Sequence, residues 1–184
     1  IDITGTKTWN DSDNQDGKRP ESITVNLLAN GEITATKTVT AKDNWTYRFT
    51  DLPKYANGQE ITYTVNEIPV PEYTTTYNNY DITNSYTPDQ TSASVTKIWA
   101  DADNQDGIRP ESITVALLAD GKATDTTVTL NAANNWTQTV TGLPEKADGE
   151  YITYTWKEVD VPEGYSLTGT SKNGTATTLT NTHT

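Results

Sequence analysis

The sequence predicts an all-β protein made of two tandem β-sandwich domains. Three observations lead to this prediction: a repeat that covers nearly the whole chain, short alternating runs separated by turn signals, and the lack of any stretch with sustained helical periodicity. Thr is abundant, and Val, Ile, Tyr and Trp recur in the short runs, as is typical of pleated, half-buried strands. Many short strands bounded by turn residues favour a sandwich.

The internal repeat divides the chain into two domains. The run from Asp13 to Val25 returns as the run from Asp103 to Val115, with Ile108 in place of Lys18. Each copy is about 90 residues long, which is enough to fold alone, whereas solenoid repeats are shorter and depend on their neighbours. We therefore expect a first domain over residues 1–88 and a second over residues 89–184.

About seven short strands are expected in each copy. Those of the first copy lie between turn signals, near Ile3–Trp9, Ile23–Ala29, Thr36–Thr40, Trp45–Phe49, Ile61–Glu67, Thr74–Tyr77 and Asp81–Tyr86. The dipeptides Asn30-Gly31 and Asp120-Gly121 are typical of tight hairpin turns, so the second and third strands of each copy are expected to pair.

The charge and composition exclude several functional classes. The chain has 184 residues and a formal net charge of −12, which argues against nucleic acid or an anionic membrane as partner. We interpret the acidity as a source of solubility, and we expect a monomer without a cofactor. No Cys is present, so a covalent staple in this protein requires a chemistry other than a disulfide.

Strand alternation places a polar residue on the apolar face of three strands in each copy. Successive side chains of a strand point to opposite faces, so Lys7 shares a face with Ile3 and Trp9. By the same rule Glu67 ends the apolar stripe of the fifth strand, and Asn84 takes an inward position in the last strand. The second copy repeats all three positions, at Lys97, Glu158 and Asn181.

These buried polar residues allow two interpretations. The lysines could extend to solvent past the Trp side chains, or form buried ion pairs with the glutamates. The repetition of the set in both copies instead favours a reaction. A desolvated lysine can be a neutral nucleophile, and a desolvated glutamic acid can donate a proton to the Asn carbonyl and then transfer protons. Fixed geometry in a dry core would supply the orientation that the reaction needs.

Four motifs occur twice in equivalent order: Lys-x-Trp, Asp-Asn-Gln-Asp-Gly-x-Arg-Pro, Tyr-x-x-x-Glu and Thr-Asn. They are Lys7 and Lys97, Asp13 to Pro20 and Asp103 to Pro110, Tyr63 to Glu67 and Tyr154 to Glu158, and Thr83-Asn84 and Thr180-Asn181. At these residues the chain resembles the B-type repeat domain of the Gram-positive collagen adhesin (Cna B-type), which also occurs in pilins.

This resemblance implies a reverse-Ig-like sandwich whose first and last strands are joined by a Lys–Asn isopeptide bond. At the positions that match the family's motifs, the resemblance implies the bonds Lys7–Asn84 and Lys97–Asn181, with Glu67 and Glu158 as general acid and base. The reaction runs once per molecule, so the protein is not expected to be an enzyme. The resemblance also implies a stalk role in an extracellular, cell-wall-anchored surface protein. Its partners would be neighbouring repeats, with host extracellular matrix bound by other domains.

The acidic loops are a candidate metal site, which the spacing argues against. Asp11, Asp13 and Asp16, like Asp101, Asp103 and Asp106, are arranged somewhat like a calcium loop. The EF-hand register requires Gly at the sixth position, where Asp16 stands, and Asp or Asn at the fifth, where Gln15 stands. No metal site is therefore expected.

A different class of function is a β-sandwich that binds a host matrix protein or a carbohydrate. Tyr73, Tyr77 and Tyr80 are less regularly patterned and are its basis, as a possible surface patch. Trp45 and Trp136 could also face a sugar, but both fall in a strand pattern and are expected to pack in the core.

Overall fold

The computed structural model describes residues 1–184, which fold into two compact units, Ile1–Pro88 and Asp89–Thr184. Almost all of the regular structure is β-strand, interrupted in each unit by one short 3₁₀ turn, Ala41–Asp43 and Ala132–Asn134. The predicted all-β class is therefore confirmed. The chain contains no helix with the length and apolar character that crossing a membrane requires.

The first unit contains seven main strands and one very short hairpin. In chain order they are β1 (Ile3–Asn10), β2 (Ser22–Ala29), β3 (Glu32–Thr40), β4 (Thr46–Phe49), β5 (Tyr55–Ala56), β6 (Gln59–Glu60), β7 (Tyr63–Glu67), β8 (Thr74–Asn78) and β9 (Asp81–Ser85). The β5–β6 hairpin is absent from the predicted strands, because two-residue strands have too few positions to show alternation.

Two sheets form the sandwich of the first unit. One has the strand order β4-β1-β9-β8 and the other β3-β2-β7. The first and last strands, β1 and β9, are neighbours and run parallel, with Lys7 opposite Ile82 and Trp9 opposite Asn84. Inward residues of both sheets, such as Ile3 and Ile82 from one and Val25 and Val65 from the other, form a single buried core.

The second unit repeats this architecture. Its strands are β10 (Gln90–Ala100), β11 (Ser112–Ala119), β12 (Lys122–Asn131), β13 (Thr137–Pro144), β14 (Lys146–Ala147), β15 (Glu150–Tyr151), β16 (Tyr154–Val159), β17 (Ser166–Asn173) and β18 (Ala176–Thr182). The sheets have the orders β13-β10-β18-β17 and β12-β11-β16, and β10 and β18 are again parallel neighbours.

The predicted turns agree with the structure, but some strand ends differ. The third strand of the first unit begins at Glu32 rather than Thr36, and the strand that ends at Glu67 begins at Tyr63 rather than Ile61. Asn30 and Gly31 both have positive φ, 50° and 88°, as a type I′ hairpin turn requires. Trp45 and Trp136 do not lie in strands as predicted, because they precede β4 and β13 with φ values of 53° and 56°. Trp45 still packs against the core, as does Trp136 of the second unit.

The first strands of the two units differ at one inward position. Gly5 faces inward in β1, opposite Tyr47, whose buried ring fills the space beside it. A Cβ on Gly5 would overlap both the Tyr80 carbonyl oxygen and the Tyr47 ring. At the equivalent place in the second unit, buried Val95 stands opposite exposed Gln138.

Candidate functional site

The structure brings Lys7, Asn84 and Glu67 together inside the first unit. Lys7 and Asn84 come from the paired parallel strands β1 and β9, at positions that both face inward. Glu67 comes from the opposite sheet, at the end of β7, where it pairs with Val25 of β2. The two sheets therefore place one carboxylate across the core from an amine and an amide.

Each carboxylate oxygen of Glu67 has one partner of this set. The Lys7 ammonium donates to Oε2, and the Asn84 side-chain nitrogen donates to Oε1 at 2.6 Å. The exposed fractions of Lys7, Glu67 and Asn84 are 3%, 5% and 0%, so the three polar groups are shielded from water. Of the alternatives for this lysine, extension to solvent past Trp is not observed, and the contact in the structure is a buried ion pair.

The second unit has the same arrangement. The Lys97 ammonium donates to Glu158 Oε1 at 2.6 Å, and the Asn181 side-chain nitrogen donates to Oε2 at 2.7 Å. All three side chains are buried. Two occurrences of the set, on equivalent strands of the two units, indicate a built site rather than an isolated core polar residue.

Burial governs the electrostatics of the two lysines. Desolvation lowers the pKa of Lys7 and of Lys97 below the ordinary value, although the adjacent glutamate in each case acts in the opposite direction. The Trp9 ring also lies beside the amine, with its centroid 4.5 Å from Lys7 Nζ. A lysine in this setting loses its proton more readily than one in water.

The orientation of the asparagines differs from the expectation. The proposed reaction has Glu67 donating to the Asn84 carbonyl, but in the structure the amide nitrogen faces the carboxylate. The carbonyl oxygens Asn84 Oδ1 and Asn181 Oδ1 are buried and have no hydrogen-bond partner. The reason is electrostatic, because an ionised carboxylate accepts hydrogen bonds and therefore attracts the NH₂ group. Half a turn of the amide would present its oxygen instead.

Two residues near Glu67 are not among the predicted site residues. The Glu67 backbone N–H donates to the Tyr77 hydroxyl at 2.9 Å, and the Thr75 hydroxyl lies 3.5 Å from Glu67 Oε1. Both residues lie on β8, the edge strand next to β9. Their positions on alternate residues of one strand are the available signal, but Thr and Tyr are too common in strands for this to be informative.

The three tyrosines on which the binding hypothesis depends have separate roles. The Tyr73 hydroxyl donates to Asp11 Oδ2 at 2.7 Å, and the Tyr80 hydroxyl donates to the Tyr63 carbonyl oxygen at 3.4 Å. Tyr77 accepts the hydrogen bond from the Glu67 backbone. Since each hydroxyl has a partner within its own domain, the tyrosines offer no separate support for a ligand surface, and ligand binding stays a hypothesis.

The acidic loops use their carboxylates internally. Asp11 and Asp101 are buried and form ion pairs with Arg19 and Arg109, at 2.7 Å and 2.6 Å. The structure has no group of three His, Cys, Asp or Glu side chains that could hold a metal ion. In each unit, therefore, one carboxylate of the calcium-like loop already contacts a guanidinium group: Asp11 contacts Arg19, and Asp101 contacts Arg109.

His183, the only histidine, is predicted to titrate above its ordinary range. Its two ring nitrogens lie 2.8 Å from the Gly164 carbonyl oxygen and 2.8 Å from Asp106 Oδ2, and both acceptors are satisfied only by the doubly protonated ring. The hydrogen bond with Asp106 accordingly raises the His183 pKa, and the Gly164 carbonyl and the nearby Asp101 add to this. The resulting stabilisation is present at low pH and is lost as the pH rises through the raised pKa.

An NMR titration of the single imidazole tests this prediction. We expect a pKa above 6.5 for His183 in the folded chain, and a lower value in the Asp106→Asn variant. Asp103→Asn, an exposed position in the same loop, is the matched control and is expected to change the His183 pKa little. A value at or below 6.5 in the unsubstituted chain would contradict the geometry.

The sequence and fold of this sandwich match a known class of domain. The sequence profile of the Cna protein B-type domain matches residues 3–85 and 93–182, so the chain belongs to this family and contains two of its domains.

Related proteins agree with this assignment. The collagen adhesin of Staphylococcus aureus is 57% identical over 164 residues, which are 89% of this chain and 14% of the adhesin. Crystal structures of a single B repeat unit (B1) and of two units (B1B2) of the Staphylococcus aureus collagen-binding protein are both 52% identical, each with a TM-score of 0.50. The similarity covers 100% of this chain with both, and 98% and 49% of those chains.

Proposed function

We propose that the chain is a structural stalk of a bacterial surface adhesin, and that each domain forms its own Lys–Asn isopeptide bond. The observation that carries this proposal is the glutamate that contacts both an amine and an amide in a buried core, once in each unit. A buried ion pair alone contributes little net stability, so it gives no reason to place an asparagine on the same carboxylate twice.

The chemistry requires no group from outside the set. Transfer of one proton from Lys7 Nζ to Glu67 converts the ion pair into a neutral amine and a carboxylic acid without exchange with solvent. The acid then donates to the Asn84 carbonyl oxygen, which is free of other partners, once the amide has turned. The amine attacks the polarised carbon.

The second half of the reaction restores the glutamate. Glu67 removes the extra proton from the attacking nitrogen and delivers it to the departing NH₂ group. When the carbonyl re-forms, the proton on its oxygen returns to Glu67 and then leaves with the ammonia. One C–N bond forms, one C–N bond breaks, and the products are a Lys–Asn amide and an ammonium ion. Glu67 ends as it began, and the lysine is consumed, so the domain completes a single turnover.

The strand order supports a load-bearing role. The Lys and the Asn lie on the first and last strands of each unit, which are adjacent in one sheet. A bond between them would connect the place where the chain enters the domain with the place where it leaves. A stalk between a cell surface and a distant ligand-binding domain needs this property.

The family is the basis for the cellular setting that we propose for the stalk. The relative from Staphylococcus aureus is named a collagen adhesin, and this chain spans 14% of its length. We place the chain outside the cell in a cell-wall-anchored protein, with neighbouring repeats as its direct partners. Contact with host extracellular matrix would then be made by other domains.

Intact mass under denaturing conditions tests the proposal. The expected result is a mass lower than the sequence value by two molecules of ammonia, with cross-linked peptides that join Lys7 to Asn84 and Lys97 to Asn181. A loss of one ammonia would restrict the reaction to one domain. An unchanged mass would overturn the proposed cross-links and leave two buried ion pairs.

A further inference from the structure

A second polar cluster, built around a buried aspartate, lies in each domain, and the proposed reaction does not use it. In the first domain it consists of Asp11, Arg19 and Tyr73. Asp11 is 1% exposed, and it accepts four hydrogen bonds, from Arg19 Nε and Nη2, the Tyr73 hydroxyl and the Asn14 backbone N–H. We call Asp11, Arg19 and Tyr73 the clamp.

Two features constrain the clamp. Arg19 meets the carboxylate of Asp11 through two nitrogens, at 3.2 Å and 2.7 Å, and this bidentate geometry fixes both side chains. The loop between them contains three consecutive residues with positive φ, Ser12, Asp13 and Asn14 at 54°, 56° and 60°. Such a strained backbone persists only where its surroundings hold it firmly.

Trp9 connects the clamp to the reacting amine. Its ring makes edge contacts with Tyr73 and Trp45, each at a centroid distance of 5.2 Å. The Arg19 guanidinium lies 5.4 Å from the Trp9 ring centroid, and Lys7 Nζ lies 4.5 Å from it. Trp9 therefore contacts both the lysine amine and members of the clamp, and Tyr73, Trp45 and Arg19 pack around its ring.

The second domain repeats each of these contacts. Asp101 accepts from Arg109 at 3.0 Å and 2.6 Å and from the Tyr165 hydroxyl at 2.6 Å. Trp99 lies 5.0 Å from Tyr165 between ring centroids, and Lys97 Nζ and the Arg109 guanidinium lie 5.5 Å and 5.6 Å from the Trp99 centroid. The equivalent cluster of the second domain is thus Asp101, Arg109 and Tyr165.

We propose that Asp11, Arg19 and Tyr73, with Asp101, Arg109 and Tyr165 in the second domain, are positioning residues for formation of the isopeptide bond. They hold the Trp ring against the lysine amine and thereby keep water from it. This inference rests on the proposed function, since it assigns the clamp to the same reaction.

The physical effect acts through hydration of the amine. Water stabilises the ammonium form of a lysine, and burial removes that stabilisation, which is the largest influence on the Lys7 pKa. If the clamp loosens, Trp9 moves more freely, the amine is protonated for more of the time, and the nucleophile becomes scarcer at neutral pH. The rate of bond formation falls, and a higher pH is then needed to recover it.

The experiment follows bond formation in freshly synthesised chains. Full-length chain is made by cell-free translation, transferred to buffers that span about pH 6 to 9, and sampled for ammonia loss by mass spectrometry. For Asp11→Asn we expect the first bond to form about tenfold more slowly or worse at neutral pH. We also expect its pH–rate profile to shift to higher pH, while the second bond forms at the unsubstituted rate.

Two further variants keep the test interpretable. Tyr73→Phe retains the ring against Trp9 and removes only the hydroxyl contact with Asp11, so a smaller shift in the same direction is expected even if Asp11→Asn folds poorly. Asp13→Asn changes an exposed carboxylate of the same loop and is the matched control. Near-UV circular dichroism of each variant reports whether the Trp packing survives.

The outcomes separate this inference from the function on which it rests. If the unsubstituted chain loses no ammonia, the proposed function fails. If it loses two, and Asp11→Asn and Tyr73→Phe form the first bond with unchanged rate and pH profile, only the role of the clamp is overturned. A variant that is less stable but reacts with the original pH profile would show that the clamp merely supports the fold.

Discussion

Substitution of Glu67 by Gln is expected to leave the first domain without its cross-link while the second domain completes its own. Relative to its own sequence mass, the variant would lose one ammonia instead of two. Gln presents the same shape to Lys7 and Asn84, but it can neither take the lysine proton nor protonate the amide. Loss of general acid–base catalysis alone costs a factor of about 10² to 10⁴ in rate.

The loss of the bond is also expected to lower stability strongly. The cross-link closes a loop of about 80 residues, which by the chain-entropy relation contributes about 4 to 5 kcal/mol to the free energy of unfolding. For a domain of this size, that change corresponds to a fall in Tm on the order of 20 °C. Thermal unfolding of the variant, monitored beside the intact mass, measures both effects on the same sample.

Two other glutamates serve as controls for this experiment. Glu72 is in the same domain, its side chain is 54% exposed, and it pairs with Lys18 at the surface. Glu72→Gln is expected to lose both ammonias and to keep its Tm. Glu158→Gln reproduces the defect in the second domain alone. Formation of both bonds at the normal rate in Glu67→Gln would remove the glutamate from the mechanism.

Under tension, neither domain of the intact chain is expected to extend. A chain pulled from its two ends transmits force from Lys7 directly to Asn84, and from Lys97 directly to Asn181, if both bonds are present. The strands that carry these residues are parallel neighbours, and without the bonds the force would shear one strand along the other. All residues between each bonded pair are shielded from the force.

Single-molecule pulling of matched variants measures this effect. Lys7→Met keeps an unbranched apolar stem but removes the nucleophile, so the first domain can unfold and release roughly 250 Å of chain. The same substitution at Lys97 frees the second domain, and the double variant gives two unfolding events. An unsubstituted chain that itself shows events of this length would contradict the load path.

The sequence is informative where local periodicity decides the outcome. Alternation along three strands is sufficient to place Lys7, Glu67 and Asn84 on inward faces, and the structure has all three buried. The second copy strengthens this inference, because polar residues that occur at the same positions of an apolar face in both copies are hard to explain by chance. The Asn30-Gly31 turn can be predicted equally well, because the turn needs positive φ at both residues, and Asn followed by Gly is the pair that adopts it most readily.

Features that depend on partners distant in the chain cannot be predicted in this way. The link between Tyr73 and Asp11 joins residues 62 positions apart, and no local pattern in either segment indicates it. The direction of the Asn84 amide depends on the charge of Glu67, which is a property of the assembled core. The left-handed Trp45 escapes prediction because its tertiary packing overrides the strand propensity of tryptophan.

The contrast between Gly5 and Val95 has a consequence for how two such similar neighbours fold correctly. Adjacent repeats of high identity are prone to domain swapping, in which a strand of one repeat completes the sheet of the other. The first strand of the second domain cannot replace β1, because the side chain of Val95 would occupy the space that Tyr47 and the Tyr80 carbonyl fill beside Gly5. In the reverse exchange, Gly5 would leave a void where Val95 is fully buried. Because of this pair of residues, each first strand packs better in its own domain than in the neighbouring one.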